Sequence, residues 1–262
     1  MGRVWSVISG KGGVGKTTVA VNTATLLSLS GASTLIIDAD IYNPCVNFHL
    51  GLSPNDIGLQ ELLEGTAAVE DVLTIHPISG LRCISSAINF KKRVRIDNFS
   101  KVARSLDYEH VIIDCAPGLS PVVEQAMEAA DEYIKVIAPS IPCATDTMKI
   151  LAITEGLEKG RKAKFVLNRM TGMPYDLHPR EITGITQMPL DAMIPEDTAV
   201  PKSIAKKTPV VMDSPYSKPS TSIRKFVRQS FGVKNPPATA FATKENEGAV
   251  HKIANALDYL WK

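Results

Sequence analysis

Ten consecutive residues, Ser9-Gly10-Lys11-Gly12-Gly13-Val14-Gly15-Lys16-Thr17-Thr18, restrict this chain more than any other stretch. Gly10 to Thr17 satisfies G-x-x-x-x-G-K-[ST] in full. A strand-like run over residues 3–9 precedes it and a helix-like segment over 16–30 follows, which is the context the motif requires. Glycines let the backbone curl so that successive N–H groups point at one anion. The helix that starts here aims its positive dipole end at the same place. The pattern assigns phosphate binding to Gly10, Lys11, Gly12, Gly13, Val14, Gly15, Lys16, Thr17 and Thr18. Lys16 is expected to neutralise the β- and γ-phosphates, and the Thr17 hydroxyl to ligate Mg²⁺. A glycine-rich turn without a ligand is the competing reading, and the complete motif disfavours it.

The rest of the chain alternates in the same way. Strands are expected over 3–9, 33–38, 110–114, 133–138 and 164–168, and helices over 16–30, 96–106, 119–130 and 145–159. Such alternation predicts an α/β fold: a doubly wound, mostly parallel sheet with helices on both faces. Ile36-Ile37 and Ile112-Ile113 lack polar alternation, as strands buried on both sides do. Residues 81–84 read as a weaker edge strand, and 188–194 as another, closed by Pro195. Residues 198–207 and 220–231 read as the last helices. This places an ATPase-type domain over 1–233, a linker over 234–248 and a final helix over 249–262.

Composition narrows the function classes. With 29 Lys and Arg against 27 Asp and Glu, the net charge of +2 excludes a strongly basic nucleic-acid protein. No apolar run reaches the ~18 residues of a membrane span. Cys45, Cys83, Cys115 and Cys143 form no CxC or CxxC pair, so metal-ligand and redox spacing are both missing, and reduced thiols are expected. Gly2 fits a loose myristoylation pattern, but residues 4–8 read better as a buried strand.

Lys11 departs from a plain phosphate loop, because from there it cannot easily reach the phosphates that Lys16 holds. The KGGVGKTT form resembles the deviant Walker A motif of the MinD/ParA family. In that family the extra lysine reaches across a dimer interface to the partner's nucleotide. Carried to Lys11, the resemblance implies an ATP-sandwich homodimer. A solvated lysine is the alternative.

Two further segments fit. Asp38-Ala39-Asp40-Ile41-Tyr42-Asn43-Pro44 follows the second strand, where carboxylates face the ligand crevice of a parallel sheet. Asp38 is expected to hold water on Mg²⁺, and Asp40 to orient or activate the attacking water. A helix cap is the competing role. Asp114, ending Ile112-Ile113-Asp114, fits a Walker B-like place on the magnesium shell, and Ala116-Pro117-Gly118 a hinge that senses the γ-phosphate. This second segment resembles the MinD/ParA second switch. The first is closer to the Mrp-type iron–sulfur scaffold ATPases, which carry DADIYGP. Asn43 stands where they have Gly, and their cluster-binding CxxC is missing. A nitrogenase iron-protein pattern is missing too, since Cys115 directly follows Asp114.

Val166-Leu167-Asn168-Arg169 ends another strand. In the family, the Asn at such a strand end recognises adenine, and an amide can both donate and accept at a purine edge. Arg169 is expected to flank the ring, while Pro195 and Asp197 belong to a loop that closes over the base. No N/T-K-x-D-like segment argues for guanine, so ATP is the expected substrate with Mg²⁺ as cofactor.

Residues 249–262 place Val250, Ile253, Leu257, Leu260 and Trp261 on one side of a helix. Fourteen residues span ~21 Å, too short to cross a bilayer, but such a helix can lie in the membrane interface. MinD proteins resemble this plan. Docking on a partner or on the chain's own domain is the alternative, and Lys252 and Lys262 offer little charge for anionic lipid. The basic clusters Lys91-Lys92-Arg93 with Arg95, and Arg224-Lys225 with Arg228, read as solvated faces rather than DNA contacts. The resemblance therefore implies a slow ATPase switch of MinD-like positioning or cell-division type, with an activating or cargo protein as partner. It would be cytoplasmic, and peripheral on the inner face of the cell membrane if the tail inserts. A metal-centre assembly ATPase and a ParA-like DNA segregation ATPase are the other two classes.

Overall fold

Runs of apolar residues without polar alternation become strands with both faces covered, and here they make one sheet. The computed structural model describes residues 2–87, 94–158, 160–234 and 236–238. Among them, the strands are β1 (Arg3–Ile8), β2 (Thr34–Asp38), β3 (Leu73–Ile75), β4 (Arg82–Ile84), β5 (His110–Asp114), β6 (Glu132–Ile137), β7 (Lys162–Met170) and β8 (Ala192–Pro195). Their order across the sheet is β3-β4-β2-β5-β1-β6-β7-β8. Every neighbouring pair is parallel except β3 with β4. The chain builds one half of the sheet beside β1 and then crosses to the other through β6. The carboxyl end of β1 is thus near the point where winding reverses, the place where open α/β sheets bind ligands.

Successive side chains of a strand face opposite ways, and the core divides accordingly. Trp5, Val7, Ile36, Ile112 and Ile134 pack with helices Lys16–Leu29 and Lys218–Phe231 on one face. Val4, Ile8, Leu35, Ile37 and Ile113 pack with Leu59–Glu64, Phe99–Ser105 and Pro121–Ala129 on the other. Residues 4–8 are all buried, as expected of a first strand.

Two expectations change. Residues 81–84 do not form an edge: β3, which has no alternation signal in its three residues, pairs antiparallel with β4 on its outer side. The strand expected over 188–194 starts only at Ala192 and includes Pro195. Proline lacks an N–H, and β8 is an edge strand, where that loss is tolerated.

Arg224 is spoken for inside the fold. Its Nε donates to the Pro237 carbonyl at 3.2 Å and its Nη2 to that of Pro215 at 2.8 Å, which removes it from the basic cluster of Lys225 and Arg228. No helix of the described residues is long and apolar enough to cross a membrane. The helix expected over 249–262, with Ile253, Leu257, Leu260 and Trp261, lies outside the described residues, as do most of the linker and Lys91-Lys92-Arg93.

Candidate functional site

β1 ends at Ile8, and helix Lys16–Leu29 starts eight residues later, so Ser9–Gly15 must turn tightly between them. Two glycines have specific reasons to be there. A Cβ on Gly10 would stand 2.7 Å from the Asp146 backbone, in the helix Ile141–Glu158. Gly15 caps the helix in the left-handed region (φ 86°), and a Cβ there would collide with the Asn168 amide. The helix has no side-chain cap and no acidic residue in its first turn. Its leading N–H groups and positive dipole end therefore meet the cleft without internal competition, a site prepared for an anion.

Lys11 to Thr18, Asp40, Asn168, Arg169, Pro195 and Asp197 line one cleft of about 420 Å³. Asp38 and Asp114 lie deeper. They end neighbouring strands and are paired directly in register, with residue exposures of 0% and 1%. Asp114 joins the loop: its Oδ1 accepts from Lys16 Nζ at 2.8 Å and its Oδ2 from the Thr17 hydroxyl at 2.6 Å. Burial alone would pull the Lys16 ammonium down. The charge and hydrogen bond of Asp114, with smaller contributions from Cys115 and Asp38, outweigh it, and the net shift is upward, so Lys16 stays charged.

Asp38 braces the first switch. Its Oδ2 accepts from the backbone N–H of Cys45 (2.7 Å) and Val46 (2.9 Å), and its Oδ1 from that of Asp40 (3.2 Å). Burial, reinforced by the charge of Asp114, pushes its carboxyl up to about 7 against those three donors. Asp38 thus also tethers the start of helix Val46–Leu50, whose N-cap residue Cys45 makes no side-chain cap of its own. Asp40 is at the cleft wall, its Oδ1 accepting from Asn43 N–H at 3.2 Å. Burial raises its carboxyl, with the Asn43 backbone and Lys16 opposing. Lys11 is exposed, and its ammonium makes no hydrogen bond or ion pair with any described residue. Cys115 is fully buried, and burial pushes its thiol up to about 12, as suits an inert packing residue.

Across the cleft, Asn168 Nδ2 donates to the Val14 carbonyl at 2.8 Å and Arg169 Nη1 to the Gly13 carbonyl at 2.7 Å. Asp197 Oδ1 accepts from Ala199 N–H at 2.8 Å, capping the helix Ala199–Ala205.

Some lining residues escape sequence reasoning. Cys45 and His49 stand one helical turn apart beside the cleft. Their spacing just after the first switch was the available signal. Val200, Ile204 and Ile223 give an apolar wall suited to a planar ring. They come from two helices, and helically spaced apolar residues look the same whether they line a cleft or a core. The hard oxygen donors of Thr17 and Asp114, beside a free-standing helix N-terminus, suit Mg²⁺ with a phosphate.

The AAA domain family matches residues 2–165. The uncharacterized ATP-binding protein MJ0547 of Methanocaldococcus jannaschii is 30% identical, over 96% of this chain and 95% of its own. Among solved structures, the septum site-determining protein MinD complexed with Mg-ADP, from Pyrococcus horikoshii, superposes with a TM-score of 0.81 at 30% identity, over 87% of this chain and 96% of that one. A MinC:MinD cell division protein complex from Aquifex aeolicus matches with a TM-score of 0.78 at 25% identity, over 90% of this chain and 98% of that one. The phosphate loop behind β1, the paired carboxylates beside it and the sheet that carries both agree with these likenesses: the chain belongs to the MinD/ParA family of deviant Walker A ATPases.

Proposed function

We propose that this ATPase is a MinD-like switch that dimerises around ATP and resets by hydrolysing it. One observation carries the reading. Lys11 projects from the phosphate loop an ammonium that pairs with no described residue, whereas Lys16 in the same loop is buried against Asp114. A second cation that no described residue of its own chain pairs suits a phosphate held by another copy. The MinD relative solved with Mg-ADP and the MinC:MinD complex support nucleotide binding and partner recruitment by this kind of fold.

Within each subunit the loop N–H groups and Lys16 would hold the phosphates. Thr17 and Asp114 would hold Mg²⁺, with Asp38 behind them. Magnesium bound there supplies charge neutralisation between the phosphates. Asp40 would orient water for attack at the γ-phosphorus and take up its proton, a role that its upward-shifted carboxyl favours. Asn168, Pro195 and Asp197 would frame the base. The helix expected from the sequence over 249–262, through Ile253, Leu257, Leu260 and Trp261, would bring the dimer to a membrane surface or a partner.

Lys11→Ala decides the central point. It should keep most nucleotide affinity, lose ATP-dependent dimerisation in sedimentation, and lose hydrolysis by at least about tenfold. A normal dimer with normal turnover would make Lys11 a solvated lysine and end the sandwich reading.

A further inference from the structure

β7 does not end as a regular strand. Its pairing with β8 slips between Leu167, opposite Met193, and Met170, opposite Pro195. Three steps along β7 face two along β8, the signature of a bulge. Inside it, Arg169 has a φ of 62°. A residue with a bulky side chain occupies that left-handed region only when its surroundings hold it there. In a regular strand, consecutive side chains point to opposite faces. Here Asn168 and Arg169 both reach the phosphate loop and grip adjacent peptides, at the Val14 and Gly13 carbonyls. Glu196, just past β8, completes the arrangement. Its Oε2 accepts from Arg169 Nε at 2.9 Å, and its own N–H donates to the Met170 carbonyl at 2.8 Å.

The consequence follows from peptide geometry. In a trans peptide the C=O and the next residue's N–H point in opposite directions in one plane, and the described residues contain no cis peptide. The Gly13 carbonyl shares its plane with Val14 N–H, and the Val14 carbonyl with Gly15 N–H. Drawing both carbonyls toward β7 turns both N–H groups away from it.

We propose that Arg169 and Glu196 are positioning residues for phosphate binding. Arg169, aimed by the bulge and steadied by Glu196, fixes the Gly13–Val14 peptide plane beside the Val14–Gly15 plane that Asn168 holds, so that the N–H groups of both cradle the phosphates. The proposal rests on the reading of Gly10–Thr17 as the phosphate cradle. It moves the effect of Arg169 from the base to the phosphates. It also gives Glu196, which has no charge to offer a phosphate, a part in binding one.

Calorimetric titration of the full chain with Mg²⁺ and either ATP or inorganic tripolyphosphate tests this. Arg169→Gln should weaken both by about tenfold, the size expected of a charge-assisted hydrogen bond partly screened by solvent. Glu196→Ala should weaken both by a smaller factor, and Glu196→Gln, which keeps an acceptor for Nε, should recover part of that loss. Unchanged thermal unfolding of the Glu196 variants separates positioning from folding. Loss for ATP with tripolyphosphate unaffected would make Arg169 a base contact and overturn the proposal. So would unchanged binding of both ligands by Arg169→Gln or Glu196→Ala. Lys16→Ala checks the underlying reading separately: if it binds tripolyphosphate like the parent, the cradle itself is misassigned.

Discussion

Asp38 and Asp114, at the ends of β2 and β5, have almost no contact with water. Arg169 and Glu196, across the same cleft, form an ion pair with side chains 52% and 39% exposed. Both walls touch the same loop, one through Lys16 and Thr17, the other through the carbonyls of Gly13 and Val14. The difference lies in what each environment allows. Away from water, a charge is felt strongly, and protonation states shift. At the surface, the same charges are screened and contribute little energy, but a guanidinium still fixes direction. One wall of this cleft supplies electrostatics, and the other supplies orientation.

The contrast predicts unequal costs. Asp114→Asn leaves the Lys16 ammonium buried without its ion-pair partner, its other carboxylate neighbours being Asp38 and Asp40. Breaking a buried pair from one side costs about 3–5 kcal/mol. Urea unfolding should read that loss directly. A change below about 1 kcal/mol would mean that solvent screens the pair after all, and the two walls would then be of one kind.

A smaller effect distinguishes them by pH. The carboxyl of Asp38 is pushed from an ordinary 3.8 up to about 7 in the folded chain. The folded state then holds this proton more tightly than the unfolded state does. That contribution to stability is complete below pH ~4 and is lost as pH rises toward ~7. Asp38→Asn cannot titrate. The stability of the parent minus that of the variant, measured without nucleotide, should therefore fall across this window. A flat difference would show that Asp38 ionises freely and would remove the electrostatic coupling with Asp114.

The buried wall was legible in the sequence, and the exposed wall was only half legible. Asp38, Asp40 and Asp114 could be found because strand ends followed by carboxylates repeat beside a complete phosphate-loop motif. Asn168 and Arg169 stand at the end of a run that reads as a buried strand, but the bulge that lets both reach one loop leaves no mark in Val166-Leu167-Asn168-Arg169. It arises from register with β8, a strand whose expected start at 188 lies four residues before its observed one. β3 was missed for a related reason. Three residues give no periodicity, and only its partner β4 defines it. Local pattern identifies residues with a common chemistry, whereas pairing decides which of them meet.

The smallest predicted effect tests the exposed wall. Glu196 accepts from Arg169 across 2.9 Å, but both side chains are largely hydrated and lose rotamer freedom to meet. Measured values for such exposed pairs run from about 0 to 1 kcal/mol. Glu196→Ala should thus change the unfolding free energy by no more than that, and added salt should shrink even this difference, since screening acts on exposed charges first. Its effect on tripolyphosphate affinity should still be measurable, because binding samples the direction of the Gly13–Val14 peptide plane that Arg169 holds rather than the energy of the ion pair. Stability and affinity would then separate at Glu196 and fall together at Asp114, where one carboxylate serves both. A loss above about 2 kcal/mol at Glu196, beyond the range of exposed pairs, would identify it as a structural tie between β7 and β8. The cleft would then have two energetic walls rather than one that holds charge and one that aims the loop.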